Sequence, residues 1–189
     1  MEIRMRIIKD FRTDQENILR FLDALGGASA ILAGSKHAGP GFFIFAHTFV
    51  SEYINDNFFK KEELLIKALT DNGFPPDDGP VASMRAEQRK SLESAEHMFN
   101  AAKGWQSGDE AGRAEVGWAA SEYTSALRPH LDRLKNLIFP LLEQNISSAD
   151  EHKIAEGLNT IAFENSLKDD PDKYTKLIEA LEDELSTWK

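Results

Sequence analysis

Apolar side chains recur at helical steps along almost the whole chain, and no run alternates residue by residue as a half-buried strand would. Phe11, Gln15, Ile18, Leu22 and Leu25 follow at steps of 4, 3, 4 and 3 and predict a first helix. Thr13 or Asp14 is placed to cap it, with Glu16 at capping-box distance from Thr13. The stretch GSKHAGPG from Gly34 to Gly41 ends that pattern. It lacks the spacing of a phosphate loop and no strand precedes it, so it reads as a turn.

A second long helix is predicted over about 41–71, with Phe42, Phe45, Phe49, Tyr53, Phe58, Leu65 and Leu69 on its apolar side. The segment from Asn72 to Pro80 contains three prolines and two glycines and marks a stop and a restart. Pro80 suits the first turn of a third helix, where its missing N–H has no cost. That helix carries Val81, Met84, Gln88, Leu92, Ala95 and Phe99. A short loop near 104–109 leads to a fourth helix, about 110–145, with Ala119, Tyr123, Leu127, His130, Leu134, Leu137 and Leu141 in one line. Pro129 and Pro140 fall inside it and predict kinks. Two shorter helices follow, about 150–165 and 171–188, with Ile154, Leu158, Ile161, Leu177, Leu181 and Leu185 as docking residues.

Four long helices joined by short connections pack best as an antiparallel four-helix bundle. The expectation is therefore all-α: one domain over 1–189, with a core bundle at about 10–146 and a C-terminal helical appendage at about 150–188. Composition narrows the chemistry. With no cysteine there is no disulfide framework, zinc–thiolate site, iron–sulfur cluster or thiol nucleophile. The formal charge of −10 argues against nucleic acid or an anionic membrane as partner. The longest apolar-rich run, 39–50, is too short to span a bilayer, and the first ten residues lack the apolar core of a signal peptide, so a cytoplasmic location is expected.

Three of the four stripes carry a polar residue where the period calls for an apolar one: Gln15, Gln88 and His130. Lys61 and Glu62 lie beside the stripe of the second helix. Bundles build metal sites from inward-facing His and carboxylates, but Gln is a poor ligand and one His is too few for a transition-metal site. Residue chemistry alone favours a buried hydrogen-bond network in which Gln15, Gln88 and His130 meet, with Tyr123 as a further partner. A lone core histidine of this kind is worth about 0.5–1.5 kcal/mol net. His37, His47, His97 and His152 fall off the main stripes and are expected at the surface or rim. No nucleophile–base pattern and no EF-hand spacing are present, so no enzyme activity is expected.

The run FVSEYINDNFFKKEELL from Phe49 to Leu65 resembles the second helix of bacterial hemerythrin-like (HHE cation-binding) domains, an aromatic-rich segment followed by HHxKEE. Gly73–Pro75, Gly79–Ala82, Met84–Gln88, Tyr123, Leu127–His130 and the LIFP of Leu137–Pro140 resemble that family's loop, third and fourth helices. The resemblance spans roughly 10–185. It implies a bundle in which His and carboxylates from four helices hold a non-haem di-iron centre that binds oxygen or senses iron or redox state.

Here the pattern departs at most ligand positions. The first-helix His falls on Gln15, and the second-helix His falls on Asn57 or Phe58 because the register is one residue ambiguous. The following Glu falls on Lys61 or Glu62 accordingly, and the third-helix His on Gln88. His130 matches, while the acidic positions after it are Leu134 and Lys135. The resemblance thus implies a divergent member that has lost its di-iron centre, with no resident cofactor, acting as a binding, structural or sensor-derived protein on an unidentified protein or small molecule, with self-association compatible. The alternative is a rearranged iron or other divalent-cation site built on His130 with Glu62 or Glu63, joined by Glu122 or Asp132.

Overall fold

The computed structural model describes residues 2–188, which are helical almost throughout and contain no strand among the described residues. Helix α1 runs over Glu2–Ile31, α2 over Pro40–Phe49, α3 over Lys60–Asp71, α4 over Gly79–Gln106 and α5 over Ala111–Arg133. Helices α6 (Phe139–Asn145), α7 (Ser148–Lys168) and α8 (Lys173–Ser186) complete the chain. Two π-helical stretches, Val50–Phe59 and Leu134–Ile138, join α2 to α3 and α5 to α6, so that 40–71 and 111–145 are each one continuous rod. The four rods are α1, α2–α3, α4 and α5–α6. No helix among the described residues is long and apolar enough to cross a membrane.

Cross-rod contacts run antiparallel. Phe21 stacks on Phe49 and Phe11 meets Phe58. Glu63 pairs with Arg85 and His47 stacks on Phe99. Ser29 donates to the carbonyl of Gly117, while Arg128 pairs with Asp23. The core between the rods is dominated by aromatic and aliphatic side chains, including Phe11, Ile18, Leu25, Phe58, Leu65, Met98, Tyr123 and Leu127.

Several local expectations are corrected. Helix α1 does not start at Thr13 or Asp14. It begins near residue 2, and Thr13 Oγ1 bonds back to the Lys9 carbonyl from mid-helix at 3.1 Å. Pro129 sits inside α5 without ending it, and the rod's irregularity lies at 134–138, before Pro140. On α4 the buried line is Val81, Met84, Gln88, Ser91, Ala95, Met98, and Leu92 is exposed. Phe45 and Leu137 are also exposed, since each lies on the flank of its stripe rather than at its centre.

The appendage covers the groove between α1 and the α2–α3 rod. Ser147 and Asp150 form a capping box that starts α7. Helix α7 is fastened to the rod by Lys60–Glu164 and by Asn165 donating to Asn57 at 2.9 Å. Gly157 lets the two come together, because a Cβ there would lie 2.5 Å from Leu64 Cδ2. Helix α8 pairs with α1 through Arg20–Glu182, and Trp188 closes over Phe42 with ring centres 4.9 Å apart. The α2–α3 rod is therefore buried on two sides, one facing the bundle centre and one facing the appendage.

Helices α4 and α5 come close together at Gly112, where a Cβ would meet the Ala101 carbonyl oxygen at 2.6 Å and the Trp105 backbone nitrogen at 2.9 Å. Backbone cannot yield as a side chain does. Gly112→Ala should therefore lose about 1–3 kcal/mol in denaturant unfolding, although alanine is the better helix former by about 1 kcal/mol. Gly41→Ala, with no atom within 4 Å of the new Cβ, should show no such loss.

Candidate functional site

The bundle centre is built around Glu62, which is fully buried on α3. His130 reaches it from α5, with Nε2 2.8 Å from Oε1 and 2.7 Å from Oε2. Gln88 on α4 donates its amide to Glu62 Oε1 at 2.8 Å. The other ring nitrogen, His130 Nδ1, lies 3.3 Å from Glu87 Oε2, and Arg133 Nε is 2.6 Å from Glu87 Oε1. A charged chain thus runs from the core to the surface: Glu62, His130, Glu87, Arg133. Phe59 packs edge-on against the imidazole, with ring centres 5.8 Å apart. Leu134 and Phe58 supply hydrocarbon on the same rods.

Burial works against a charged His130, but the Glu62 carboxylate and its hydrogen bond, joined by Glu87, outweigh it and push the imidazole up to about 9. At neutral pH both ring nitrogens are then donors, one to each carboxylate. Burial likewise opposes ionisation of Glu87, yet the His130 hydrogen bond and charge, with Arg133, hold its carboxyl below the usual range.

A second polar cluster lies on the other face of the same rod. Lys61 Nζ is 2.7 Å from Asp10 Oδ1 and 2.8 Å from Asp14 Oδ2. Tyr53 donates to Asp14 Oδ1 at 2.7 Å and accepts from Asn17 at 2.9 Å. Burial disfavours the Lys61 ammonium, but Asp14 and Asp10 outweigh it and keep the lysine charged.

Phe58 and Glu62 face the centre, while Asn57 and Lys61 face α1 and the appendage. Neighbouring residues of a helix point in different directions, so Phe58 and Glu62 fall on one buried face of the rod and Asn57 and Lys61 on another. Gln88 and His130 meet as expected, with Glu62 between them. Gln15 does not join them. It is half-buried, donates to the Leu131 carbonyl at 3.3 Å, and lines a surface groove with Asp132 and Lys135. The inward polar residue of α1 is its neighbour Asp14. Tyr123 is buried, but its hydroxyl has no partner among the described residues, so it does not close the network. Glu63 is exposed and pairs with Arg85, and Glu122 is half-buried; the side-chain partners of Glu62 are Gln88 and His130. Asp14 and Glu87 are polar participants that the stripes did not single out, and Tyr53, placed on its stripe as an apolar residue, contributes its hydroxyl.

The donors at the centre do not fit a di-iron site. One imidazole, one carboxylate and one amide converge, and phenyl and isobutyl groups fill neighbouring positions. Glu62 and Glu87 lie on opposite edges of the His130 ring and do not point at a common site. Among the described residues no group of three His, Asp or Glu side chains is placed to hold one ion.

Two outcomes follow from the ion pair. The folded pKa of His130 stands above its ordinary value near 6.5, so its contribution is fully present below that value and is lost as pH rises through about 9. Stability measured by urea unfolding should fall by on the order of 3 kcal/mol across that window, and His130→Gln should flatten the fall. Because His130 is not a lone polar group, His130→Leu should cost about 3–5 kcal/mol by leaving Glu62 buried without its cation. Combining it with Glu62→Leu should restore most of that loss in a double-mutant cycle.

The model of the hemerythrin HHE cation binding domain matches residues 6–142, which is more than half of the chain and takes in all four rods. No curated protein and no solved structure matches it. Helices α7 and α8 lie beyond the matched segment. With the bundle, the HHE-type second and fourth helices and the family match agreeing, the chain belongs to the hemerythrin HHE cation-binding domain family.

Proposed function

We propose that this protein is a non-catalytic member of that family, in which a proton-bearing ion pair has taken the place of the di-iron centre and the bundle serves as a binding or sensor-derived module in the cytoplasm. The observation that carries this reading is the commitment of His130 Nε2 to Glu62 at 2.7 and 2.8 Å, with Gln88 on the same carboxylate. A metal can be ligated only by a neutral imidazole. Ligation would require His130 to give up a proton that Glu62 and Glu87 both favour, and would break the ion pair. Nor are there imidazoles from other rods to share the load, since Gln15, Asn57 or Phe58, and Gln88 stand at the positions that the resemblance gives to histidine.

The test is metal content. Protein purified from iron-supplemented cells should be colourless and carry well below one iron per chain, and a chelator should leave its melting midpoint in place. Stoichiometric iron with an oxo-bridge absorption band, or a midpoint that drops on chelation in the wild type but not in His130→Leu, overturns the reading in favour of a rearranged site on His130 and Glu62.

A further inference from the structure

The turn between α7 and α8 closes against the first π stretch and leaves a cleft of about 270 Å³. The cleft lies on the appendage side of the α2–α3 rod, away from the His130–Glu62 pair. Carboxylates dominate its polar lining: Asp14, Glu52, Asp169 and Asp170, against Lys61 as the only lining cation among the described residues. Lys61 is already held by Asp10 and Asp14. From the rim, Lys173 pairs with Glu52 and Asp169, and Lys176 lies 3.8 Å from Asp170, so the lining carboxylates still outnumber the lysines that reach them, an excess that favours cations.

Open hydrogen-bonding atoms face the same space. Asn57 is more than nine-tenths buried, and its pairing with Asn165 uses one amide N–H and one carbonyl oxygen. Whichever way the two amides are turned, one NH₂ group and one oxygen are left without a partner among the described residues. Both asparagines line the cleft. Glu52 uses Oε2 for Lys173 and the Tyr174 hydroxyl, and its Oε1 has no partner among the described residues.

The cleft already recognises one ammonium. Lys173 Nζ, from the rim, sits 2.7 Å from Glu52 and 2.8 Å from Asp169, and 5.4 Å from the centre of the Tyr174 ring. Carboxylates flanking an aromatic face are the arrangement that binds organic cations. The Lys173 side chain is about one-third exposed and can swing into solvent. We propose that this cleft binds a small organic cation, an alkylammonium or guanidinium group, between Glu52, Asp169 and the face of Tyr174, in the place where Lys173 now lies. The free donor of the Asn57–Asn165 pair adds a preference for a cation bearing a nearby acceptor oxygen. This inference stands apart from the metal state of the bundle centre, and its test does not involve iron.

The full chain, labelled with ¹⁵N, is titrated at physiological salt with agmatine and with ethanolamine as probes, and with acetate and calcium chloride as comparisons. Both amines should produce saturable shifts at Asn57, Asn165 and Tyr174. Lys173→Met removes the internal competitor and should tighten agmatine binding several-fold. Glu52→Gln removes a charge-assisted acceptor and should weaken it about tenfold. Both side chains are more than a third exposed, and far-ultraviolet dichroism confirms that each variant is folded. The proposal is overturned if the amines give no saturable shifts in the millimolar range. It is equally overturned if calcium or acetate binds the same residues more tightly than agmatine, or if both variants bind agmatine as the wild type does.

Discussion

A fully buried carboxylate cannot stand alone in a helical bundle, because desolvation costs far more than packing returns unless a cation and further donors reach it. Glu62 is that carboxylate, and the arrangement of three rods follows from satisfying it. His130 must project from α5 at the same height, Gln88 must present its amide from α4, and the second ring nitrogen of His130 must find Glu87. Each requirement fixes the rotation of a helix about its own axis. Close approach of α4 and α5 at Gly112 fixes their separation at the far end. The hydrophobic core fills the space so defined but does not by itself choose among rotations, since aromatic and aliphatic stripes tolerate small shifts.

The same rod has a second obligation. Lys61 is adjacent to Glu62 in sequence and cannot share its face in a regular helix. It instead meets Asp10 and Asp14 on the opposite flank. Two buried flanks need two covers. The bundle supplies one, and α7 and α8 supply the other, which explains why an appendage outside the matched family segment is tied down by ion pairs and by the capping of Phe42 and Phe43 with Trp188. The π stretch belongs to this solution, since it carries Tyr53 and Asn57 towards the appendage and Ile54 and Phe58 towards the core.

Periodicity made the four rods, their turns and two of the central polar residues legible, because Gln88 and His130 each interrupt a long stripe at an unambiguous step. Gln15 failed for a geometric reason. Phe11 and Ile18 are seven apart, so steps of 3 then 4 or of 4 then 3 both keep the face, and the choice between Asp14 and Gln15 is a rotation of one residue. That rotation is set by Tyr53 and Lys61 on a distant segment, which no local pattern encodes. Leu92 against Ser91, and Phe99 against Met98, are the same ambiguity on α4, where the larger residue is not the inner one. The π stretch was not legible in the periodicity, and the resemblance left a one-residue doubt between Asn57 and Phe58. Both residues are in fact buried, Phe58 against Phe11 and Asn57 against Asn165.

A bundle centre that holds carboxylate needs positive charge, and a family built to hold metal cations provides it from outside the chain. In this protein, on the reading proposed above, a proton on His130 provides it from within. The clusters on the outer flank follow the same rule: Lys61 answers Asp10 and Asp14, and Lys173 answers Glu52 and Asp169. The matches differ in how closed they are. His130 and Glu62 are both buried from solvent. Lys173 sits at a rim and leaves one Glu52 oxygen free, so its place can be taken by another cation at the cost of a side-chain rotation. On the two readings proposed above, exchange of positive charge with the surroundings is given up at the bundle centre and kept at the cleft.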